Sequence, residues 1–443
     1  MTTVICTPCI VGALSCQKDS YLQSLETEVV SCTEYTPPKL PGNTKSKTKK
    51  ATDPEKALAT GVLHESKTWL LEFRDSVLFP EGGGQPTDHG TVTPLTGEVG
   101  EPIPLTTLQR HGLRCVAFSS KPIEPGTAVR QDVDFKRRWD LMQQHTGQHL
   151  LSAIMDTMDI ETVGWAMGAG GEMNYVELSR KPSQAEHRLI QDRCIAAIRE
   201  NMPITVETPG AGVKADSLPE DYDKEKGVVR FIKIGDLDYN ACCGTHLKQT
   251  AHISLILLHH TQSVRGTNCR LFFSCGDRAI NLATSSVNSI RSMAVSLSSG
   301  STPMDVEATV KRLGDSLVDS RRKEKKLLVE IAKFEGARMK ADLASGKNGW
   351  CHRPTDGLDF INLVVIEIKD VIKEKGVVVF ASGQEKEVGS IMIVGESSLV
   401  DALSAKVKTI VSSVKGGGKG KWQGKVTEWK KGEIEALKQA VEE

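Results

Sequence analysis

Two short clusters of histidine and cysteine dominate the chemistry of this sequence, because imidazole nitrogens and a thiolate are the donors that hold a transition-metal ion. The first is His145-Thr-Gly-Gln-His149 and the second Cys242-Cys-Gly-Thr-His246. If Asp140 to Met158 is a helix, His145 and His149 lie one turn apart on one face and can aim at a single ion. Leu151, Ile154, Met155 and Met158 then recur at helical spacing on the opposite, packing face. Cys242 and His246 sit in a glycine-containing turn after a strand-like run. Two ligands on a helix and two on a loop suit a tetrahedral zinc site, one Zn2+ per chain. A lone HxxxH pair is more often structural; the second pair shifts that balance.

Two zinc chemistries are disfavoured. Thr146 stands where the HExxH metalloproteases carry their general-base glutamate. The His-x-Glu and Pro-Cys-x-x-Cys pattern of nucleobase deaminases is missing. Cys6-Thr-Pro-Cys9 is a CxxC motif without a second such pair, so residues 1–14 read as an N-terminal extension.

A chain of 443 residues accommodates two to four domains. Lys+Arg and Asp+Glu are equal at 56 each, so a polyanionic partner must be met by local patches rather than by net charge. The 11 cysteines are spread without a disulfide-dense spacing, which predicts reduced thiols and a cytoplasmic protein. The apolar run Ile10 to Leu14 is too short to span a membrane.

The elements that position the clusters make an α+β fold. Leu25–Cys32, Trp69–Phe79, Thr91–Thr93 and Ala128–Phe135 read as strands of an antiparallel, β-barrel-like domain over 15–138, with a Lys-rich insertion at 37–50. Within it, Gly82-Gly83-Gly84-Gln85 is flanked by prolines; three glycines permit positive φ and close approach, and the loop is expected to face a ligand. Residues 139–290 alternate strands (Val228–Ile234, Ile253–Leu258, Leu271–Ser274) with a helix over Ser183–Asn201, and hold both halves of the metal site. Val306, Val310, Leu313, Leu317, Leu327, Ile331 and Phe334 follow a 3-4 spacing, interrupted by Ser320 and Glu324, that suits a coiled-coil-like arm or helical hairpin over 303–345, with a helix lying on a globular domain as the alternative. Residues 356–443 read as a small α/β domain. Eight lysines against one acid, Glu428, lie between Lys406 and Lys431, and the Gly416–Lys421 stretch there is expected to be a flexible loop that contacts a phosphate backbone.

Taken together, Phe79-Pro-Glu-Gly-Gly-Gly-Gln-Pro86, Gln143-Gln-His-Thr-Gly-Gln-His-Leu150, Cys242-Cys-Gly-Thr-His246 and the terminal Gly-rich segment resemble the free-standing alanyl-tRNA editing proteins, relatives of the editing half of alanyl-tRNA synthetase. The resemblance covers nearly the whole chain after residue 14. It implies a β-barrel-like domain, a zinc-bearing editing core, a helical arm and a C-terminal domain that binds tRNA or oligomerises. It implies hydrolysis of seryl-tRNA(Ala), and of glycyl-tRNA(Ala), without aminoacylation. The family's zinc ligands map onto His145, His149, Cys242 and His246, and its glycine loop onto Gly82, Gly83, Gly84 and Gln85. Thr146, Gln148 and Thr245 become candidate polar contacts to substrate, although helix capping or packing is the commoner use for each. Lys415, Lys419 and Lys421 become candidate tRNA contacts, and the arm or the last domain a route to a homo-oligomer. Two departures are the insertion at 37–50 and Cys243, which could offer the metal a rival thiolate.

Zinc could polarise the ester carbonyl or acidify a bound water toward a pKa of ~7, but four protein ligands leave no open tetrahedral position. Expansion to five ligands, a loosened ligand, or zinc binding the substrate's amino group would each resolve this. Two rival readings stay open: removal of serine from tRNA(Thr), and a non-catalytic RNA-binding protein with structural zinc.

Overall fold

The computed structural model describes residues 8–36, 67–95, 100–169, 172–209, 227–372 and 376–443, and the chain divides into two compact units, Met1–Ser289 and Ile290–Glu443. The Lys-rich insertion at 37–50 lies outside the described residues.

The first unit opens with a short helix, α1 (Ser15–Lys18), followed by strands β1 (Ser24–Glu34), β2 (Trp69–Phe73), β3 (Gly90–Pro94), β4 (Ile103–Leu105), β5 (Leu108–His111), β6 (Arg114–Ser119) and β7 (Ala128–Val133). They form one sheet in the order β4-β3-β7-β1-β2-β6-β5, every pair antiparallel. β1 pairs with β7 through its first half and with β2 through its second, with a register shift between Val29 and Ser31. Such a bulge bends a strand, and the sheet curls into a nearly closed barrel. Val29, Leu71, Val92, Leu105, Leu108 and Val129 fill it. The expected strand Trp69–Phe79 stops at Phe73, where Ser15 binds the Asp75 carboxylate through both its amide (2.9 Å) and its hydroxyl (2.6 Å). In the later part of the extension expected over 1–14, Val11 and Leu14 are buried in one apolar cluster with Cys16 and Phe79.

Next come α2 (Phe135–Asp156), β8 (Thr162–Ala166), β9 (Asn174–Leu178), α3 (Gln184–Glu200), β10 (Ile204–Glu207), β11 (Phe231–Ile234), β12 (Asp238–Ala241), β13 (Ile256–Ser263) and β14 (Cys269–Cys275). Two antiparallel sheets, β10-β11-β12 and β13-β14-β9-β8, share one core with both helices. Met142, Leu151, Ile154 and Met155 of α2 meet Val176, Ile198, Ile232 and Phe273 there. α2 begins at Phe135 rather than Asp140 because the Asp134 carboxylate accepts the Arg137 amide (3.1 Å) and caps the helix. α3 matches its expected span: Ser183 and Glu186 form a capping box, and Asn201 closes it in the left-handed conformation. Helix α4 (Gly276–Ser296) spans the boundary between the units.

In the second unit, α5 (Pro303–Ala344) starts at a Thr302/Asp305 capping box with proline in its first turn. The remaining elements are β15 (Gly349–Arg353), α6 (Leu358–Ile368), β16 (Val377–Ser382), β17 (Gly389–Gly395), α7 (Ser397–Ile410), β18 (Val414–Gly417), β19 (Lys421–Val426) and α8 (Glu433–Glu442). The sheet order is β15-β16-β17-β19-β18, parallel only between β15 and β16. Both faces of β16 are covered: Val377, Val379 and Ala381 pack toward α7 and α8, Val378 and Phe380 toward α5 and α6. Of the expected 3-4 seam of α5, Val306 is buried at the start of the helix, and farther along the helix packs through a different set of residues. Ala332, Gly336, Met339 and Leu343 are buried, whereas Leu327 and Phe334 are 63% and 75% exposed. Gly336 is the reason: a Cβ there would come within 2.6 Å of Glu367 Cβ, so α6 docks on the small-residue side. The Gly416–Lys421 stretch is a β-hairpin rather than a flexible loop, because β18 and β19 pair from Val414↔Val426 to Gly417↔Gln423. Among the described residues, no helix is long and apolar enough to cross a membrane.

Candidate metal centre

Helix α2 is buried on nearly every side, including its histidine face. A buried polar side chain costs stability unless bonded, and α2 uses its amides to clamp neighbouring backbone. Gln144 accepts the Cys275 amide (3.0 Å) and donates to the Cys275 carbonyl (3.0 Å), while Gln143 donates to the His252 carbonyl (3.2 Å). Gly147 is required by packing, since a Cβ would sit 2.1 Å from Cys275 Sγ. At its N-terminal end, Arg138 and Asp88, both fully buried, form an ion pair; Arg138 also donates to the Ser20 carbonyl (3.0 Å), and Asp88 accepts the Phe79 amide (2.7 Å). These contacts fix the rotation of α2.

The second cluster follows β12. Arg230 donates to the carbonyls of Cys243 and Gly244 (2.9 Å each), and Gln17 to that of Cys243 (2.7 Å). Thr146 Oγ1 accepts the Leu247 amide (3.0 Å). A Cβ on Gly244 would lie 2.3 Å from the His145 ring, so only glycine lets the loop come this close. The outcome is a buried group of His145, His149, Cys242 and His246 whose donor atoms all lie within 4.8 Å of one another. Cys242 Sγ is 3.4 Å from His145 Nε2 and 3.3 Å from His246 Nε2. Adjacent ligands of a tetrahedral ion with zinc-like bond lengths stand about 3.3–3.6 Å apart, the spacing of the sulfur from these two nitrogens.

The backs of the rings agree. His145 Nδ1 is 2.8 Å from Gln85 Oε1 and His149 Nδ1 is 3.1 Å from Asp238 Oδ2, an arrangement that directs each Nε2 toward the sulfur. His246 Nδ1 is buried without a hydrogen-bond partner among the described residues. Burial pushes the Cys242 thiol up, yet the imidazoles of His145 and His246 hold it well below its ordinary value. Burial pulls His149 down, but Asp238 and Cys242 outweigh it and bring it up to about 10. Burial drives His246 down to about 3. A thiolate among imidazoles is a donor set ready to exchange its protons for a cation. Cys243 is no rival: burial, with the neighbouring Cys242 charge, raises its thiol to about 12, and it faces Gly82 and Gly83 instead.

A cleft of about 450 Å³ opens onto this group. It is lined by Gly83, Gln148, Ser152, Thr162, Trp165 and Asn240 beside His145, His149 and Cys242. The Trp165 ring lies over His145, centroids 4.9 Å apart. A larger cavity of about 990 Å³ between α3 and β11 contains none of the four donors.

The residues expected to touch substrate divide. Gly82 and Gln85 bridge a tight turn in which Gly83 and Gly84 have φ of +61° and +80°, and a Cβ on Gly84 would strike Trp165 at 2.8 Å. The glycines therefore serve the turn and its neighbours, with Gly83 lining the cleft. Gln85 is buried and three bonds hold its amide: Oε1 meets His145 and the Thr245 amide (3.0 Å), and Nε2 donates to Thr245 Oγ1 (2.8 Å). Thr146 and Thr245 are likewise buried packing groups. Of the three candidate polar contacts, Gln148 alone lines the cleft. Lys415, Lys419 and Lys421 are exposed on the hairpin of the second unit. Sequence reasoning missed Asp238, Ser152, Thr162, Trp165 and Asn240. Asp238 alone had a local signal, a carboxylate one short strand before Cys242.

Residues 229–272, which include Cys242 and His246, match the family model described as the threonyl and alanyl tRNA synthetase second additional domain. The chain is 34% identical to the alaX protein of Saccharomyces cerevisiae over 97% of this chain and 96% of that one. It is 30% identical to the alanyl-tRNA editing protein Aarsd1 of Danio rerio, covering 96% and 97%. The alanyl-tRNA editing protein AlaX-L of Pyrococcus horikoshii is 29% identical over 46% of this chain and 51% of that one. With near-complete coverage on both sides and both metal-donor clusters joined into one buried group, the chain belongs to the alanyl-tRNA editing protein family.

Proposed function

We propose that this chain is a zinc-dependent hydrolase that removes serine, and also glycine, from mischarged tRNA(Ala) in trans. The observation that carries this reading is the buried quartet His145, His149, Cys242 and His246, of which His145, His149 and Cys242 line an open cleft. A purely structural zinc site needs no such access. When bound, zinc supplies Lewis acidity toward the ester carbonyl and an acidified water. The chain's own part is positional. Gln85 and Asp238 hold the ring nitrogens of His145 and His149, and Trp165 covers His145 from the solvent side. Gln148, Ser152 and Thr162 give the cleft a polar wall against which an aminoacyl group can be oriented.

Grip on the tRNA body falls to the second unit. In the β18–β19 register Lys415 stands opposite Lys425, an unfavourable pair of like charges that a polyphosphate chain would relieve. Lys419 and Lys421 flank it. The exposed apolar residues of α5 support self-association, and the buried thiols of Cys16, Cys194, Cys269, Cys275 and Cys351 suit the reducing cytoplasm.

The test is deacylation of seryl-tRNA(Ala), alanyl-tRNA(Ala) and seryl-tRNA(Thr) by metal-replete protein, chelator-treated protein and the Cys242→Ala variant. Hydrolysis of the first substrate only, lost on chelation and restored by zinc, is expected. Cleavage of seryl-tRNA(Thr) in its place would move the protein to the threonyl system. No cleavage by zinc-loaded protein would leave an RNA-binding protein with structural metal.

A further inference from the structure

The sheet β13-β14-β9-β8 turns one face to the core and one away from it. Alternation along β9 and β14 sends Val176, Leu271 and Phe273 inward, and Tyr175, Arg270 and Phe272 to the other side. Tyr175 and Phe272 are only partly buried and join none of the apolar cores among the described residues. The metal cleft belongs to the inward side, where Trp165 pairs with Val176 and lies over His145.

On the outer face, flat groups lie stacked in pairs. A bulge in β13 sets His259 and His260 opposite Phe272 alone, and the exposed His260 ring rests on Phe272 with centroids 4.7 Å apart and planes 20° from parallel. The Arg270 guanidinium lies 4.3 Å from the centre of the Tyr175 ring. Its Nε has no hydrogen-bond partner among the described residues, and Glu177 is a long 3.5 Å away. Tyr175 meets Phe272 edge-on at 5.9 Å, which joins the two pairs into one tier. At the His260 end the tier borders a cavity of about 770 Å³ lined by Arg180, Lys181, Ser183, His187 and His259. Ser183 caps α3, so the positive end of that helix points there as well. Arg180 is engaged by Glu186 (2.8 Å), whereas Lys181 is exposed and without an ion-pair partner among the described residues.

Imidazole and guanidinium planes beside a basic hollow match an unpaired nucleic-acid strand, whose bases offer π-faces and whose backbone offers phosphates. A duplex hides its base faces within its own stack. We propose that the outer face of this sheet is a binding platform for an unpaired stretch of RNA, its bases stacking on His260 and Arg270 and its backbone passing Lys181. The platform lies on the opposite side of the sheet from the metal donors, and it belongs to the first unit, whereas the lysine hairpin belongs to the second.

The experiment uses full-length, zinc-loaded protein carrying Lys415→Gln, Lys419→Gln and Lys421→Gln, which removes the hairpin's charge. Fluorescence anisotropy at one fixed salt concentration compares a labelled, unstructured RNA of about ten nucleotides with a duplex of the same length. The single strand is expected to bind at least about tenfold more tightly. Phe272→Leu and Tyr175→Leu, which keep apolar bulk, and His260→Ala, at an exposed position, should each weaken it about five- to tenfold with matched thermal unfolding. Lys181→Gln should cost less and lower the slope of log affinity against log salt by about 0.7. Irradiation of wild-type protein with an iodouridine-substituted strand should give adducts on Tyr175, His260 or Phe272, located by mass spectrometry. Equal binding of duplex and single strand, wild-type affinity in all three ring variants, or adducts confined to other surfaces would overturn the proposal. Absence of any binding or adduct would overturn it too and leave the face to a protein partner.

Discussion

Around Cys242 the histidines are held from behind, His145 by Gln85 and His149 by Asp238, and the loop that carries the thiolate is tied down by Arg230, Gln17 and Thr146. On the β18–β19 hairpin the lysines project into solvent; Lys421 reaches Asn362 (3.3 Å), and Lys415 and Lys419 have no partner among the described residues. The difference matches the proposed work of each region. A metal ion tolerates only a few tenths of an ångström in its ligands, so the fold must fix them. A phosphate backbone asks only for charge density at reach, so mobile ammonium groups suffice.

That contrast can be broken or sharpened by substitution. Cys242→Ala should reduce deacylation by roughly 10³-fold, since the metal's contribution to transition-state stabilisation is several kcal/mol. Loss of bound zinc, read by atomic emission, should accompany it; retained zinc with retained activity would contradict the ligand assignment. Next comes Arg138→Ala, which strands the buried Asp88 carboxylate and should cost about 3–5 kcal/mol of stability in urea unfolding. An effect within the range of an exposed pair would show that α2 is not anchored there. Gln85→Ala touches no donor atom, yet it frees His145 and Thr245 and should lower zinc affinity or activity about 10- to 100-fold. If only the lysine hairpin were sensitive and Gln85 neutral, the proposed division of labour would be reversed. The smallest effect belongs to Lys415→Gln, Lys419→Gln and Lys421→Gln combined. This variant should raise KM and shrink the slope of log affinity against log salt by about 2 to 3 units, whereas arginine at the same positions should restore it.

The two donor pairs were legible because each is local. Four-residue spacing puts His145 over His149 on any helix, and Cys242 and His246 share one turn whatever surrounds it. Helix α3 was legible from the helical spacing of its apolar residues for the same reason. The use of Gln85 was not. An amide after three glycines reads as a ligand contact, and only the approach of residues 60 and 160 positions away reveals it as the support of His145 and Thr245. The seam of α5 shows the converse: its periodicity was legible, but α6 docks beside Gly336 on another face.

By itself the sequence determined the donor types, their pairing within each cluster, the span of a strongly periodic helix, and where positive charge concentrates. These depend on backbone geometry over a turn or less. The tertiary structure decided that the two pairs converge, which nitrogen of His145 and His149 faces the sulfur, and that Ser152, Thr162, Trp165 and Asn240 wall one cleft. Such facts depend on contacts between residues far apart in the chain, whose meeting is set by the burial of apolar surface across the whole core and not by local spacing.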